Sequence, residues 1–216
     1  MNINKHLILL FSVLFFLFAV SVSSGCFRKN ESDVKSVVRN ELDQLKNLDS
    51  ETTQKYIPYT ELFPDATENT DLTDEINKTF SLFFRKFNYK ISDVIVGTAN
   101  HSATVSVKLT TIDSKVLARD FKAELLRTQI TESAQAQKGN IKDSSRSLEA
   151  HYLILNHLLN TNDYDTAETD CNIQLVNTGN DKKEKWKIQR TNSLEDDLVG
   201  GLIADLADPD ILSPED

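Results

Sequence analysis

Few side chains in this chain could carry chemistry, and they are widely spaced. Two of the four histidines, His151 and His157, lie six residues apart in a stretch with helical spacing of apolar residues. At 100° per residue they point about 120° away from one another, so they cannot share a metal ion as an i, i+4 pair would. His101 falls in an expected turn, and His6 lies at the head of the N-terminal apolar run. Cys171 stands among inward residues of an expected strand, with no basic neighbour in sequence to lower its pKa. A small buried thiol is the commoner role for such a residue. Asp163, Asp165, Glu168 and Asp170 form an acidic stretch that lacks the central glycine of an EF-hand loop, so it reads as a solvated face. The chain shows no glycine-rich phosphate loop, no serine-centred elbow and no basic stripe. No catalytic residue, metal or cofactor is therefore expected.

Aromatic residues offer one further candidate. Phe80, Phe83, Phe84 and Phe87 recur at near-helical spacing, followed by Tyr89 and, far downstream, the single tryptophan, Trp186. Such a stripe is what a helix buries against a sheet. The competing reading makes Phe80, Phe84, Phe87, Tyr89 and Trp186 the wall of an apolar ligand pocket.

The elements that must position these residues follow from periodicity. Ser32 is an expected N-cap for a helix with Val34, Val37, Val38, Leu42, Leu45 and Leu48 on one side. Residues 51–57 can add a turn before Pro58, and 59–71 read as loop. A second helix starts near Thr73 and carries the aromatic stripe. Tyr89, Ile91, Val94 and Val96 then read as a strand with a bulge near Asp93, where the alternation slips. Ala103, Val105, Val107 and Leu109 alternate cleanly with polar residues and complete a hairpin. Two helices follow, one capped by Asp113 or Ser114 and one over about 147–159. Ala167, Thr169, Cys171, Ile173 and Leu175 mark a third strand, and 185–190 a fourth. Ser193 is the expected cap of a last helix, interrupted at Gly200-Gly201. Hairpins with one polar face, alternating with helices, imply an α+β fold. Its antiparallel sheet, four-stranded and curved, is packed by N-terminal, central and C-terminal helices.

The N-terminus speaks to location. Residues 7–22 form a sixteen-residue apolar run preceded by Lys5 and followed by Ser23, Ser24, Gly25 and Cys26. The run is short for a span of ~30 Å of hydrocarbon, which takes roughly 20 helical residues, and it has the three-part form of an export signal. Small residues before the cysteine resemble the lipobox of bacterial lipoproteins, with Ser23 where a leucine is usual. That resemblance implies cleavage after Gly25 and diacylglycerol on Cys26. Ordinary secretion and an uncleaved anchor are the alternatives. Arg28 and Lys29 add a little positive charge beside the anchor. The expected organisation is a signal over 1–25, a tether over 26–31, one domain over 32–207 and an acidic flexible tail over 208–216.

The whole chain carries a net charge of −9, and its first 25 residues contain one lysine and no acid, so the remainder is more acidic still. Bulk charge of this sign disfavours nucleic acid and anionic headgroups as partners. With Cys26 lipidated, Cys171 would be the only cysteine left, and no intrachain disulfide could form.

Five features together, the N-terminal helix, the aromatic helix leading into FNYKISDVIV, the strand HSATVSVKLTTID, the strand EKWKIQ and the closing NSLEDDLVGGL, resemble small lipoproteins of low-GC Gram-positive bacteria. Their domain of unknown function is regarded as similar to the nuclear transport factor 2-like (cystatin-like) superfamily. The helical pair over 113–159 departs from the simplest version of that fold. The resemblance implies a curved sheet around a long helix, with a conical pocket that hosts isomerases and dehydratases in some members and binding or dimerisation in others. The expected function is a membrane-anchored, extracytoplasmic binding or interaction module of the cell envelope, held by lipid on Cys26. Its partner would be an envelope protein or a small apolar ligand. A pocket enzyme and a structural dimerisation module are the alternatives.

Overall fold

The computed structural model describes residues 30–57, 62–63, 66, 72–97, 101–136, 147–179 and 184–212. The expected signal, Cys26, residues 27–29 of the expected tether and the last four residues lie outside that set, as do most of the loop over 59–71 and the turns around 98–100, 139–140 and 180–183. Among the described residues no helix is long and apolar enough to cross a membrane.

The fold is α+β with a four-stranded antiparallel sheet. Strands β1 (Asn88–Val96), β2 (Ser102–Ile112), β3 (Thr166–Asn177) and β4 (Trp186–Ile188) lie side by side in chain order. Ala103, Val105, Val107 and Leu109 on β2 and Cys171, Ile173 and Leu175 on β3 are buried, as strict alternation requires of a sheet covered on one face. The opposite face is polar and internally paired. Thr104 faces Gln174 and donates to it at 2.9 Å, and Ser106 faces Asn172 and donates at 2.8 Å. Lys108 sits between Asp170 at 3.2 Å and Glu168 at 3.4 Å. The expected bulge in β1 is present between Ile91 and Asp93, where the hydroxyl of the extra residue, Ser92, donates to the Ser106 carbonyl.

Helix α1 (30–46) covers the apolar face. Val34, Val38, Leu42 and Leu45 are buried along one stripe. At its start Asn30 donates to Glu184 beside β4 at 3.0 Å, and at its end Lys46 donates to Asn88 of β1 at 2.9 Å. The helix thus reaches from one edge of the sheet to the other. Ser32, expected as its cap, lies inside the helix, because residues 30 and 31 are already helical. Leu48, expected on the apolar stripe, is exposed. It adopts φ +62, and the Asp49 N–H returns to the Gln44 carbonyl, the left-handed closure of a helix C-terminus. Asp49 then caps α2 (Ser50–Tyr56), accepting from the Thr52 N–H at 2.8 Å.

Helix α3 (Thr73–Phe83) ends in a 3₁₀ turn at Phe84–Lys86, which delivers the chain to β1. Between β2 and β3 run α4 (Ser114–Ala136) and α5 (Leu148–Thr161), the latter capped by Ser147. Asn156 of α5 donates to the Glu75 carbonyl of α3. The closing helix expected from Ser193 is two helices, α6 (Asn192–Leu198) and α7 (Leu202–Ala207), and the cap is Thr191. Gly200 and Gly201 both adopt positive φ, and a Cβ on Gly200 would fall 2.2 Å from Thr111 Oγ1, so the pair turns the chain rather than weakening one helix.

Three apolar residues read as loop or tail, Leu62, Phe63 and Ile211, belong to the core. Phe63 packs its ring against Phe121 at 5.1 Å, and Ile211, within the stretch expected to be a flexible tail, is buried.

Candidate functional site

Lys35, Arg39, Asp43 and Lys46 follow one another along α1 within an arc of about 80° at 100° per residue. This stripe borders the buried one, so it stands at the margin where α1 meets the sheet. The start of β1 forms the opposite wall. Together Lys35, Arg39, Asp43, Lys46, Asn88, Tyr89 and Ile91 enclose an open groove of about 310 Å³.

The lining is polar and carries three cations against one carboxylate. The Oδ1 of Asp43 accepts the Tyr89 phenol at 2.7 Å, which ties that carboxylate to β1. Among the described residues neither Lys35 nor Arg39 has an ion-pair partner, and Lys46 is engaged by the neutral Asn88. Partial burial, and then the hydrogen bond and charge of Asp43, push the Tyr89 phenol up to about 12. It therefore stays protonated as a donor. A phenol held there is a poor acid–base catalyst at neutral pH. What the arrangement can do is attract and hold an anion.

Of the aromatic candidates, Tyr89 lines this groove. Phe80, Phe84 and Phe87 are buried, with Phe84 meeting Phe87 edge-on at 5.3 Å, Phe83 at 5.4 Å and Phe80 at 6.3 Å. These rings fill space against one another as core. Trp186 is buried, its indole N–H reaching Glu184 at 3.3 Å, the same carboxylate that holds Asn30.

The other candidates are separated by the fold. Burial and the neighbouring Asp197 carboxylate push the Cys171 thiol up to about 12, which leaves it without a reactive thiolate. His151 packs beside the stacked rings of Phe63 at 4.8 Å and Phe121 at 5.7 Å, and burial lowers its pKa, while His157 is exposed. Asp163 is drawn to Lys86 at 2.6 Å, and Glu168 and Asp170 to Lys108, so three of the four acids in the stretch are divided between two lysines. Among the described residues no group of three or more histidine, cysteine, aspartate or glutamate side chains is placed to hold a metal ion.

The basic stripe on α1 was missed in the sequence, although its spacing of i, i+4 and i+11 is a helical signal. Glu31 and Asp33 precede it and Glu41 and Asp43 interrupt it in the linear order, and only the rotation of the helix brings Lys35, Arg39 and Lys46 to one side, with Asp43 among them. No family model, curated protein or solved structure matches the chain.

Proposed function

We propose that this protein is a lipoprotein of the outer, extracytoplasmic face of the cell membrane, held by diacylglycerol on Cys26, and that its domain is a binding module. The observation that carries the reading is the apolar run over 7–22 ending in Ser24-Gly25-Cys26. Because a single acyl chain binds membranes only marginally, the reading requires a multiply acylated cysteine or added basic contacts. The four residues from Cys26 to Asn30 can span at most ~14 Å, so the N-terminal end of α1 would sit close to the bilayer.

The domain's architecture supports the nuclear transport factor 2-like resemblance as a proposal. A long helix reaches across the apolar face of an antiparallel sheet, and further helices complete that layer. The ligand site we assign is the groove between α1 and β1. Binding is favoured over pocket catalysis because Tyr89, the titratable phenol in the groove, is held protonated by partial burial and by Asp43.

Growing cells with an alkyne palmitate analogue tests the anchoring. Label on the wild-type protein that is absent from Cys26→Ser is the expected result, and an unlabelled wild type refutes it.

A further inference from the structure

We infer that the α1–β1 groove is a binding site for a phosphate ester with a short polar alcohol portion. This deepens the binding-module reading by naming the ligand class of its site. Three features select that class. First, the lining sums to two positive charges, from Lys35, Arg39 and Lys46 less Asp43. That matches a phosphomonoester, which carries about −1.5 to −2 at neutral pH. Second, a planar guanidinium flanked by two ammonium groups supplies more donors than a carboxylate can use, while the phosphate oxygens can accept from all three. Third, the volume of about 310 Å³ lies at the small end of ligand sites and the lining contains one aliphatic side chain, Ile91, so the groove suits a headgroup-sized polar molecule and not an acyl chain.

Tyr89 has a definite part in this site. By donating to Oδ1 of Asp43 it ties that carboxylate to the β1 wall of the groove. Among the described residues Lys35 and Arg39 have no ion-pair partner, so these cations remain available. Asp43 in turn is placed to accept a hydroxyl of the ester's alcohol portion. The groove also qualifies the expectation drawn from bulk charge. The chain is acidic overall, yet the surface between α1 and the start of β1 is locally basic, so a phosphate can approach there despite the net −9.

The phosphate ester could belong to a lipid headgroup in the anchoring leaflet or to a free solute, and one experiment separates these sources. Full-length protein in nonionic detergent micelles is titrated calorimetrically with glycerol 3-phosphate, with phosphatidic acid doped into the micelles, and with acetate. The expected result is saturable heat from at least one phosphate probe. It should weaken between 50 and 200 mM salt and fall tenfold or more in Lys35→Gln/Arg39→Gln and in Lys46→Gln, with thermal melting confirming that each variant is folded. A response to glycerol 3-phosphate identifies a solute-accessible site, and a response to phosphatidic acid alone identifies a headgroup site. No saturable heat from either phosphate, equal affinity for acetate, or unchanged affinity in both folded variants overturns the proposal. Cys26→Ser is titrated alongside with glycerol 3-phosphate and phosphatidic acid. Because the groove lies within the domain, its binding survives a failed palmitate label, and failure of the titration leaves the label intact.

Discussion

The aromatic block at the end of α3 and the groove between α1 and β1 meet at residues 87–89, and they are built on opposite principles. In the block, Phe80, Phe83, Phe84 and Phe87 interlock, and each is at most 5 % exposed. Their rings satisfy one another, so nothing is left for a ligand to complete. In the groove, side chains of like charge line the walls and the one carboxylate is occupied by a phenol. Here the protein leaves an electrostatic demand that a solute can meet. Residues that complete each other make core, and residues that are left incomplete make a site.

Substitutions in the two regions should therefore separate stability from binding. The largest effect is expected from Phe84→Ala. Removing a fully buried ring at the centre of the block should cost about 3–5 kcal/mol in urea denaturation, and a loss below about 1 kcal/mol would show the block to be loosely filled. Next comes Lys35→Gln/Arg39→Gln, which should lower phosphate-ester affinity at least tenfold, about 1.4 kcal/mol, while moving the urea midpoint by no more than an ordinary surface change does. A large stability loss in this variant would mean that the groove is structural after all.

Tyr89→Phe lies on the border and should show both effects in reduced form, a few-fold loss of affinity and a stability loss of about 1 kcal/mol or less for the exchanged hydrogen bond. Its pH dependence follows from the raised phenol pKa. The folded value of about 12 exceeds the unfolded value near 10, so the phenol's contribution is full below pH 10 and is lost as pH rises toward 12. Stability measured against pH should narrow the gap between wild type and Tyr89→Phe across that window, and parallel curves would contradict the raised phenol pKa. The smallest effect is expected at Lys108 on the open sheet face. There the ammonium is fully paired by Asp170 and Glu168 at an exposed surface, so Lys108→Met should leave the melting temperature within about 2 °C and phosphate-ester binding unchanged.

Much of the fold was legible in the residues. Alternation in β2 and β3 is unbroken because one face is buried and the other wet. The slip in β1 signalled its bulge, and the apolar spacing over 147–159 announced α5, whose cap the structure places at Ser147. Less legible were the ends and the exceptions. Leu48 has the right type and spacing for the apolar stripe, but helix closure places it in a left-handed conformation facing solvent. Phe63 and Ile211 lie in polar stretches, and only the cavities that they fill make them core. Gly200 and Gly201 looked like a flaw in one helix, whereas the close approach of Thr111 makes them a turn between two.

The sequence by itself determined the α+β class, the antiparallel pairing within each hairpin and the buried face of every strand, because those depend on periodicities of two and 3.6 residues that are written locally. It also carries the whole case for export and anchoring, which rests on the run before Cys26. Tertiary structure alone decided that β2 pairs with β3 across two intervening helices, and that α1 lies across the sheet with its basic stripe against the start of β1. The reason is physical. A charge shows its sign in the sequence, but whether it is neutralised depends on which side chains the fold brings within a few ångströms of it.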